Sequence, residues 1–320
     1  MLIITGATAT GKTDCAVRLA KQYNGELISA DSRQVYTGLD VISGKDIPAG
    51  SPAVFQYEVM FRGIGYRLVT YDLYGIPIWL YDVVPPTEQC SIALYQCLAG
   101  AVIADVVSRG KLPIFVGGAG LYIDAVVHPP ETMHIPVDAD LRKRLAMLPV
   151  SHLQEELVLL DTDRFTRMNN SDKQNPRRLV RAIEAALWKK NNTTPVSNGP
   201  EINAYWVGLR LPSEKLSVRI EKRVRDRWQH GVLDEVKSLT DFTQSLPSVS
   251  TLGIVPIREF LAGERTEEEA IQVWVKHEVA YAKRQMVWFA KKRDIHWFDS
   301  SEAGYHDKVE KLVGEWYTTR

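Results

Sequence analysis

A glycine-rich segment at residues 6–13, GATATGKT, follows directly on the apolar N-terminal residues Leu2–Thr5. It fits the pattern G-x-x-x-x-G-K-[ST], and residues 12–23 then place apolar side chains at helical spacing. A loop between a buried strand and a helix can hold a phosphate, because its backbone N–H groups and the helix N-terminus attract an anion. The motif therefore predicts an α/β fold, a P-loop NTPase-like core with a parallel sheet, that binds a diphosphate or triphosphate.

The residue types of this loop suit that chemistry. Lys12 can reach a terminal phosphate, and the Thr13 hydroxyl can be a ligand of Mg²⁺. The alternative is a chance glycine turn before a helix, which the complete order of strand, loop, Lys-Thr and helix disfavours. The residues predicted to bind the diphosphate are Gly6, Ala7, Thr8, Ala9, Thr10, Gly11, Lys12 and Thr13.

A second acidic group is expected near this loop. P-loop hydrolases normally carry a metal-binding Asp at the end of another apolar strand, but the predicted strand Leu112–Val116 ends in two glycines. The predicted strands that end in acids lead to Asp31 and Asp82. We expect the strand before Asp31 to lie beside the first strand, with both carboxyl ends at the site. Asp31 is then a Mg²⁺ ligand or a general base, and the alternative is a cap for the turn at 32–34.

The pattern of predicted strands and helices changes along the chain and indicates three regions. Residues 1–127 alternate strand and helix patterns and form the core, with a small antiparallel β insertion at about 46–79. Residues 128–200 are mostly helical and are predicted to form an inserted subdomain. Residues 201–320 return to the core with one strand, further helices and a last short strand at 295–298.

Charge and cysteine content exclude several classes of protein. The 39 Lys plus Arg balance 39 Asp plus Glu, so no global field attracts nucleic acid or anionic lipid, although a local basic patch remains open. The three cysteines form no CxxC pair, which excludes a disulfide framework and a four-cysteine zinc site. The N-terminus has no charged or long apolar leader. We therefore expect a cytoplasmic protein with no membrane partner.

Six segments in order resemble the tRNA dimethylallyltransferase (isopentenyltransferase) family. They are the phosphate loop with DSRQVY and GLD at 31–40 and Lys45, LYDVV at 80–84, VGGAGLY at 116–122, NPRRLVRAIE at 175–184, the Arg219–Val236 stretch, and AKRQ with Trp288-Phe289. Lys45 by itself is more typical of a solvated lysine. Apart from 46–79 and 185–205, the resemblance covers most of the chain.

The resemblance implies transfer of a dimethylallyl group from dimethylallyl diphosphate to the exocyclic amine of the adenosine just 3′ of a tRNA anticodon. By the matching positions, Asp31 would be the general base, with Lys12 and Thr8 as further catalytic residues. Arg219 or Arg223 would bind the diphosphate, and Mg²⁺ would stabilise it as it leaves. We expect a monomer that binds tRNA and dimethylallyl diphosphate.

The resemblance and the local charge also predict a tRNA-binding surface. Its members are Asp31, Ser32, Arg33, Gln34, Ala119, Arg142, Arg177, Arg178, Arg181, Lys283 and Arg284. Residues 280–293 carry five cations and no acid, a pattern that suits phosphate contacts and fits a solvated helix face equally well. The aromatic side chains of Trp274, Trp288 and Phe289 are predicted to belong to the core.

Several positions depart from the family pattern. Ala119 stands where the family has Thr, and Ile254-Val255 stand where it has a Tyr and a cation. Ile42 replaces a Gly and Asp46 replaces a Pro. These changes bear on the choice of tRNA and leave the predicted donor site intact.

Three alternatives remain open at this stage. An adenylate isopentenyltransferase would use the same donor with AMP or ADP as acceptor, but such relatives are generally shorter and lack a helical insertion. A P-loop small-molecule kinase is supported by residues 6–13 alone. A non-catalytic tRNA-binding relative is disfavoured because Lys12, Thr13 and Asp31 are all present.

Overall fold

The computed structural model describes residues 1–48, 50–133, 135–192, 202–239 and 251–319. The chain forms two compact units, one made of Met1–His128 with Glu201–Arg320, the other of Pro129–Pro200. None of the helices in the described ranges is long and apolar enough to cross a bilayer.

The first unit is built on one mainly parallel sheet, so the predicted α/β fold is confirmed. Within the described residues its strands lie in the order β3-β4-β5-β2-β6-β1-β7-β8. Strands β3, β4 and β5 pair antiparallel, and every pair from β5 to β8 is parallel. The strands are β1 (Leu2–Gly6), β2 (Gly25–Ser29), β3 (Val54–Phe61), β4 (Ile64–Leu73), β5 (Ile76–Trp79), β6 (Leu112–Gly117), β7 (Tyr205–Arg210) and β8 (Ile295–Asp299).

The central strands are buried and mostly apolar because both of their faces are covered. Every residue of β1, β2 and β6 is buried. Side chains alternate between two apolar clusters, so that Ile3 packs with one cluster and Leu2 and Ile4 with the other. The carboxyl ends of these strands are thereby held together at one edge of the sheet.

Helices cover the sheet and build the second unit. In the first unit they are α1 (Lys12–Gln22), α2 (Ile92–Ser108), α3 (Gly120–Val127), α9 (Ser213–Gln229), α10 (Val232–Ser238), α11 (Ile254–Leu261), α12 (Glu267–Phe289) and α13 (Tyr305–Thr318). In the second they are α4 (Ala139–Ala146), α5 (Val150–Leu160), α6 (Thr162–Arg167), α7 (Asn170–Lys173) and α8 (Pro176–Asn191).

One expectation about the sheet is wrong. Strand β2 does not pair with β1, because β6 lies between them. A helix is about 10 Å across and strands are about 4.8 Å apart, so the crossover through α1 spans two strand spacings as readily as one. The antiparallel pairing predicted for 46–79 is observed in β3, β4 and β5, and these strands extend the main sheet because β5 pairs with β2.

The second unit has a small apolar core of its own. Leu145, Leu153, Leu157 and Leu179 are buried in it. Helix α8 begins at an Asn175 cap, whose side chain accepts the N–H of Arg178, with a proline at its first position. The helical character predicted for this part of the sequence is observed in α4 to α8, between Ala139 and Asn191.

Candidate active site

A cleft of about 670 Å³ lies at the carboxyl ends of β1, β2 and β6. The loops that follow these three strands line it, together with the 42–46 loop. Side chains from α9 and α12 complete its wall. The cleft therefore forms where the strand ends of a parallel sheet expose backbone N–H groups and a helix N-terminus.

The phosphate loop is held by contacts within itself. The Thr10 hydroxyl is buried and donates to the carbonyl of Ala7 at 2.9 Å, while Lys12 Nζ donates to the same carbonyl at 2.6 Å. Gly11 has φ of +86°, a conformation that glycine adopts without strain. Gly6 has a different task, because a Cβ there would collide with the carbonyl of Leu209 in β7. Thr10 and Gly6 thus shape the loop, and Lys12 and Thr13 line the cleft.

Gln285 on α12 joins two of the loops. Its Oε1 accepts the backbone N–H of Thr8 at 2.9 Å, and its Nε2 donates to the carbonyl of Gly118 at 3.1 Å. The side chain is buried, so these bonds fix the phosphate loop against the loop after β6. The sequence reasoning missed this role; its only signal was the position of Gln285 in the AKRQ segment.

Three arginines of α9 line the cleft at intervals of four residues, Arg219, Arg223 and Arg227. Arg223 donates to the Thr8 hydroxyl at 3.3 Å, the carbonyl of Gly44 at 3.1 Å and Asp46 at 3.2 Å. Arg227 was not predicted, although the helical spacing that joins it to the other two was a usable signal.

Arg227 is largely buried, with a side chain 11% exposed, and only loosely bonded. Its contacts with the Ile42 carbonyl and Glu278 are 3.5 and 3.4 Å long. Its guanidinium lies against Gly44, where any Cβ would collide with it. Burial and the neighbouring Arg223 lower the pKa of Arg227 to about 10. A guanidinium in this state is stabilised by any anion that enters the cleft.

Lys12 shows the same excess of positive charge. Burial and, after it, repulsion from Arg223 lower the pKa of Lys12 to about 8, while Asp31 and Asp46 act in the opposite direction. An anionic ligand would offset both the desolvation and the repulsion. The cleft is therefore suited electrostatically to a polyanion such as a diphosphate.

Asp31 lies on the wall of the cleft and also caps a turn. Its Oδ1 accepts the backbone N–H of Arg33 at 2.8 Å. Ser32 and Arg33 line the cleft beside it. Gln34 is tied into the scaffold, since it donates to the Gly44 carbonyl at 3.0 Å and accepts the Ser29 hydroxyl at 2.8 Å. The turn at 32–34 thus presents the carboxylate to the cleft from a fixed backbone.

The interpretation of Lys45 as a solvated lysine is wrong. Its side chain is fully buried, and its Nζ lies 2.6 Å from both Asp40 and Asp82. Asp82 also accepts the Tyr71 hydroxyl at 2.7 Å. These partners commit Asp82 to anchoring the 40–46 loop, which leaves Asp31 as the acid at the carboxyl end of β2.

The predicted tRNA-binding cations fall into two kinds of environment. Arg284 is exposed and lines the cleft, and the adjacent Lys283 is exposed on α12. Lys292 instead pairs with Asp124 and lies over the rings of Trp206 and Trp288. Trp274 and Phe289 are fully buried and Trp288 partly, as expected for core residues.

The arginines of the second unit are mostly bonded to its own acids. Arg142 and Arg181 both bond Glu184, which is buried. Arg178 pairs with Asp172. Arg177 is exposed and has no ion pair within the described part of this unit. The sequence predicts one role, tRNA binding, for all four arginines. In the structure three of them pair with acids of this unit, whereas Arg177 is exposed.

The positions that depart from the family pattern are also located. Ala119 begins α3 with its N–H bonded to the Ala30 carbonyl at 3.0 Å, without a side-chain cap. Ile254 is buried in the core and Val255 is half exposed, both on α11. At these two places apolar side chains stand where the family has polar ones.

The oxygen donors for a metal ion are few. Across the described ranges no three His, Cys, Asp or Glu side chains gather into a metal cluster. The Thr13 hydroxyl and the Asp46 carboxylate lie 2.9 Å apart at the start of α1. Such a pair suits Mg²⁺, which favours oxygen ligands and commonly takes one or two from the protein and the rest from phosphates and water.

Two family models match the chain, one described as IPP transferase over residues 66–292 and one as isopentenyl transferase over residues 1–51. The tRNA dimethylallyltransferase of Halalkalibacterium halodurans is 32% identical over 98% of this chain and 95% of its own length. That of Acetivibrio thermocellus is 33% identical over 100% and 97%.

Solved structures agree with these matches. The tRNA isopentenylpyrophosphate transferase from Bacillus halodurans superposes with a TM-score of 0.68 at 32% identity, over 98% of this chain and 95% of that one. A eukaryotic dimethylallyltransferase acting on tRNA shares the fold, with a TM-score of 0.77 at 22% identity over 100% and 80%. Since the IPP transferase model covers well over half of the chain and its relatives match it end to end, the chain belongs to the tRNA dimethylallyltransferase family.

Proposed function

We propose that this protein transfers the dimethylallyl group of dimethylallyl diphosphate to the N6 amine of the adenosine that follows the anticodon in tRNA, with release of diphosphate. The observation that carries the proposal is the meeting of Lys12, Arg223 and Asp31 at one cleft, in a chain of this family. Cations for a leaving diphosphate and a carboxylate for a proton are the two requirements of the reaction.

The donor's diphosphate binds to the phosphate loop. Backbone N–H groups of residues 9–13, Lys12 and the hydroxyl of Thr8 bind its oxygens, and Arg219 and Arg223 approach from α9. Arg223 already contacts Thr8, so it lies beside the loop before any ligand arrives. The burial that lowers the pKa of Lys12 also strengthens the attraction between its ammonium group and negative charge developing on the leaving group.

Asp31 takes the proton. The lone pair of an adenine amine is delocalised into the ring, so the amine is a poor nucleophile until a base removes a proton as the bond forms. The N6–C bond forms while the bond from that allylic carbon to the diphosphate oxygen breaks. The proton goes to the Asp31 carboxylate and the electron pair to the diphosphate. The Arg33 N–H keeps the carboxylate oriented during this exchange.

The cofactor we propose is Mg²⁺, held by Thr13 and by oxygens of the diphosphate. The ion supplies charge neutralisation to the leaving group. Lys12 and Arg223, which both line the cleft, share that task. The described residues gather no cluster of three His, Cys, Asp or Glu side chains, which agrees with a metal that arrives together with its phosphate ligands.

The acceptor is part of an anticodon loop. Removing the base from its stack costs a few kcal/mol, which contacts to the loop must offset. Ser32, Arg33 and Arg284 line the cleft and are proposed to contact the nucleotide and its neighbours, with Lys283 nearby on the helix surface. Because the net charge of the chain is zero, binding should depend on salt to a limited extent.

Product analysis tests the proposal. The protein is incubated with Mg²⁺, dimethylallyl diphosphate and either unmodified tRNA with an A-A-A run at the 3′ edge of its anticodon or AMP, and nucleosides are analysed by mass spectrometry. We expect isopentenyladenosine in the tRNA alone. Prenylated AMP would instead indicate an adenylate isopentenyltransferase, and ATP turnover with neither product would indicate a kinase.

A further inference from the structure

Asp46 occupies a position between the two groups expected to bind the donor's diphosphate. Its Oδ2 accepts the Thr13 hydroxyl at 2.9 Å, and its Oδ1 lies 3.2 Å from Arg223 Nη2. Its side chain is 43% exposed, so it faces the open cleft. A carboxylate would repel the phosphates that these neighbours attract, and its presence needs a reason.

The loop that carries Asp46 is held firmly. The preceding Lys45 is buried between two carboxylates. The Gly44 carbonyl accepts bonds from both Gln34 and Arg223. Glu235 accepts the N–H groups of residues 40, 41 and 42 at 2.7–2.9 Å. The carboxylate is therefore delivered to Thr13 by a preorganised backbone, as a functional ligand requires.

The spacing of the two oxygens fits a metal ion. Octahedral Mg²⁺ binds oxygen at 2.0–2.1 Å, so two adjacent ligands lie about 2.9 Å apart. The Thr13 and Asp46 oxygens have that separation. P-loop proteins commonly pair the loop Ser/Thr with an Asp from a strand end. Here β6 ends in glycines, and the acid reaches the same hydroxyl from the 40–46 loop.

We propose that Asp46 is a ligand of the divalent cation, which it shares with Thr13 and the donor's diphosphate. The inference rests on the proposed function for the identity of the phosphate ligand. The family pattern has a proline at this position, so the carboxylate is a feature of this chain. Arg223 would then exchange its contact with Asp46 for one with the diphosphate once the cation neutralises the carboxylate.

Binding of inorganic diphosphate tests this role without any transfer reaction. Calorimetry gives the dissociation constant of diphosphate without metal and with saturating Mn²⁺, and their ratio measures how strongly the cation promotes binding. The variants are Asp46→Asn and, as a control, Asp14→Asn. Asp14 follows Thr13, is 76% exposed and has a weak contact with His306, so its substitution removes the same charge from the start of α1 without touching Thr13.

We expect Asp46→Asn to lower the metal-dependent ratio by about 10- to 100-fold, the range for lost support of a bound metal. Binding without metal should tighten because the repulsion is gone, and binding with Mn²⁺ should weaken. Asp14→Asn should leave the ratio near that of the wild type. Asp46→Glu, which restores a carboxylate, should recover part of the ratio and guards against a general loss of structure.

Tighter binding of Asp46→Asn in both conditions, with an unchanged ratio, would show that Asp46 is only a competitor for the diphosphate site and would overturn the proposal. An equal fall of the ratio in Asp14→Asn would also overturn it, because any nearby charge would then suffice. The ratio is independent of prenyl transfer. A failed tRNA assay with a lowered ratio would therefore refute the function and retain the metal ligand.

Discussion

Arginines gather at two places in this protein, and the two clusters differ in how their charge is balanced. In the cleft, Arg223 and Arg227 reach Asp46 and Glu278 only at 3.2 and 3.4 Å, and Lys12 and Arg219 are further cations. In the helical unit, Arg142 and Arg181 converge on the buried Glu184 with short bonds. The cleft cations are loosely bonded, whereas both guanidiniums of the helical unit are held tightly by one buried carboxylate.

The pKa shifts show how this difference changes the stability of each charged group. Burial alone would raise the pKa of Glu184, but bonds from Arg142, the Asp138 backbone and Arg181 outweigh it and lower that pKa. In the cleft, burial and mutual repulsion lower the pKa of Lys12 and Arg227. The first pattern indicates stabilisation of the fold. The second indicates a site whose unfavourable charge is relieved by an anion.

The largest expected effect is that of replacing Asp31, the proposed general base. Asp31→Asn keeps an acceptor for the Arg33 N–H but removes the base, so transfer should fall by about 10²- to 10⁴-fold. Single-turnover rates at saturating tRNA measure it. Diphosphate and tRNA affinities should stay near wild type, and loss of tRNA binding with the chemical rate preserved would contradict the assignment.

Removing one arginine from each cluster should affect different properties. Arg223→Ala should weaken diphosphate binding by about 10- to 100-fold, the value of one charged hydrogen-bonded contact. Calorimetry with inorganic diphosphate measures this. Arg181→Ala is the matched control and should leave diphosphate affinity unchanged, since Arg181 bonds Glu184 and two carbonyls of its own unit. Equal losses in both variants would contradict the contrast.

Glu184→Gln should destabilise the helical unit. The substitution leaves Arg142 and Arg181 without their carboxylate, and these guanidiniums are 39% and 29% exposed. Solvent screening therefore reduces the cost below that of a fully buried pair, to about 2 kcal/mol. Urea unfolding followed by a probe in this unit measures the change. Unaltered stability, or a loss of diphosphate affinity, would contradict a purely structural role.

A smaller effect is expected from pH. Since the pKa of Lys12 is lowered to about 8, the free protein loses this charge above pH 8 and its affinity for diphosphate should fall by up to about tenfold per pH unit. Over the same range the free energy of unfolding should rise, because the unfolded chain still holds the proton. Calorimetry from pH 7 to 9.5 measures the affinity. Lys12→Arg, which stays charged, should give a nearly flat profile.

The parts of the fold with strong local patterns are predictable from sequence. The order of strand, phosphate loop and helix at the N-terminus follows from apolar spacing and one motif. Helices α3 and α11 leave weaker signals, since Gly120–Val127 is apolar without a period and Ile254–Leu261 contains a proline. Strand order is the least local property, and β6 separates β1 from β2 for reasons of sheet geometry that no short window records.

The same division holds for the site. Lys12, Thr13 and Asp31 lie in short motifs, so their neighbours in the sequence indicate their chemistry. All three line the cleft. Gln285, Arg227 and Asp46 act through partners distant in sequence, such as Thr8 for Gln285. No pattern within a short segment marks such residues, because their partners are chosen by packing.

The sequence by itself determined the phosphate loop and the resemblance to one enzyme family, since a run of backbone N–H groups ahead of a helix is local chemistry. Only the tertiary structure decided which cations are available to a ligand. Arg181 and Arg223 look alike in the sequence, but Glu184 neutralises the first and the second faces a cleft. Charge balance is a sum over neighbours at a few ångströms in a medium of low dielectric, and the fold alone determines those neighbours.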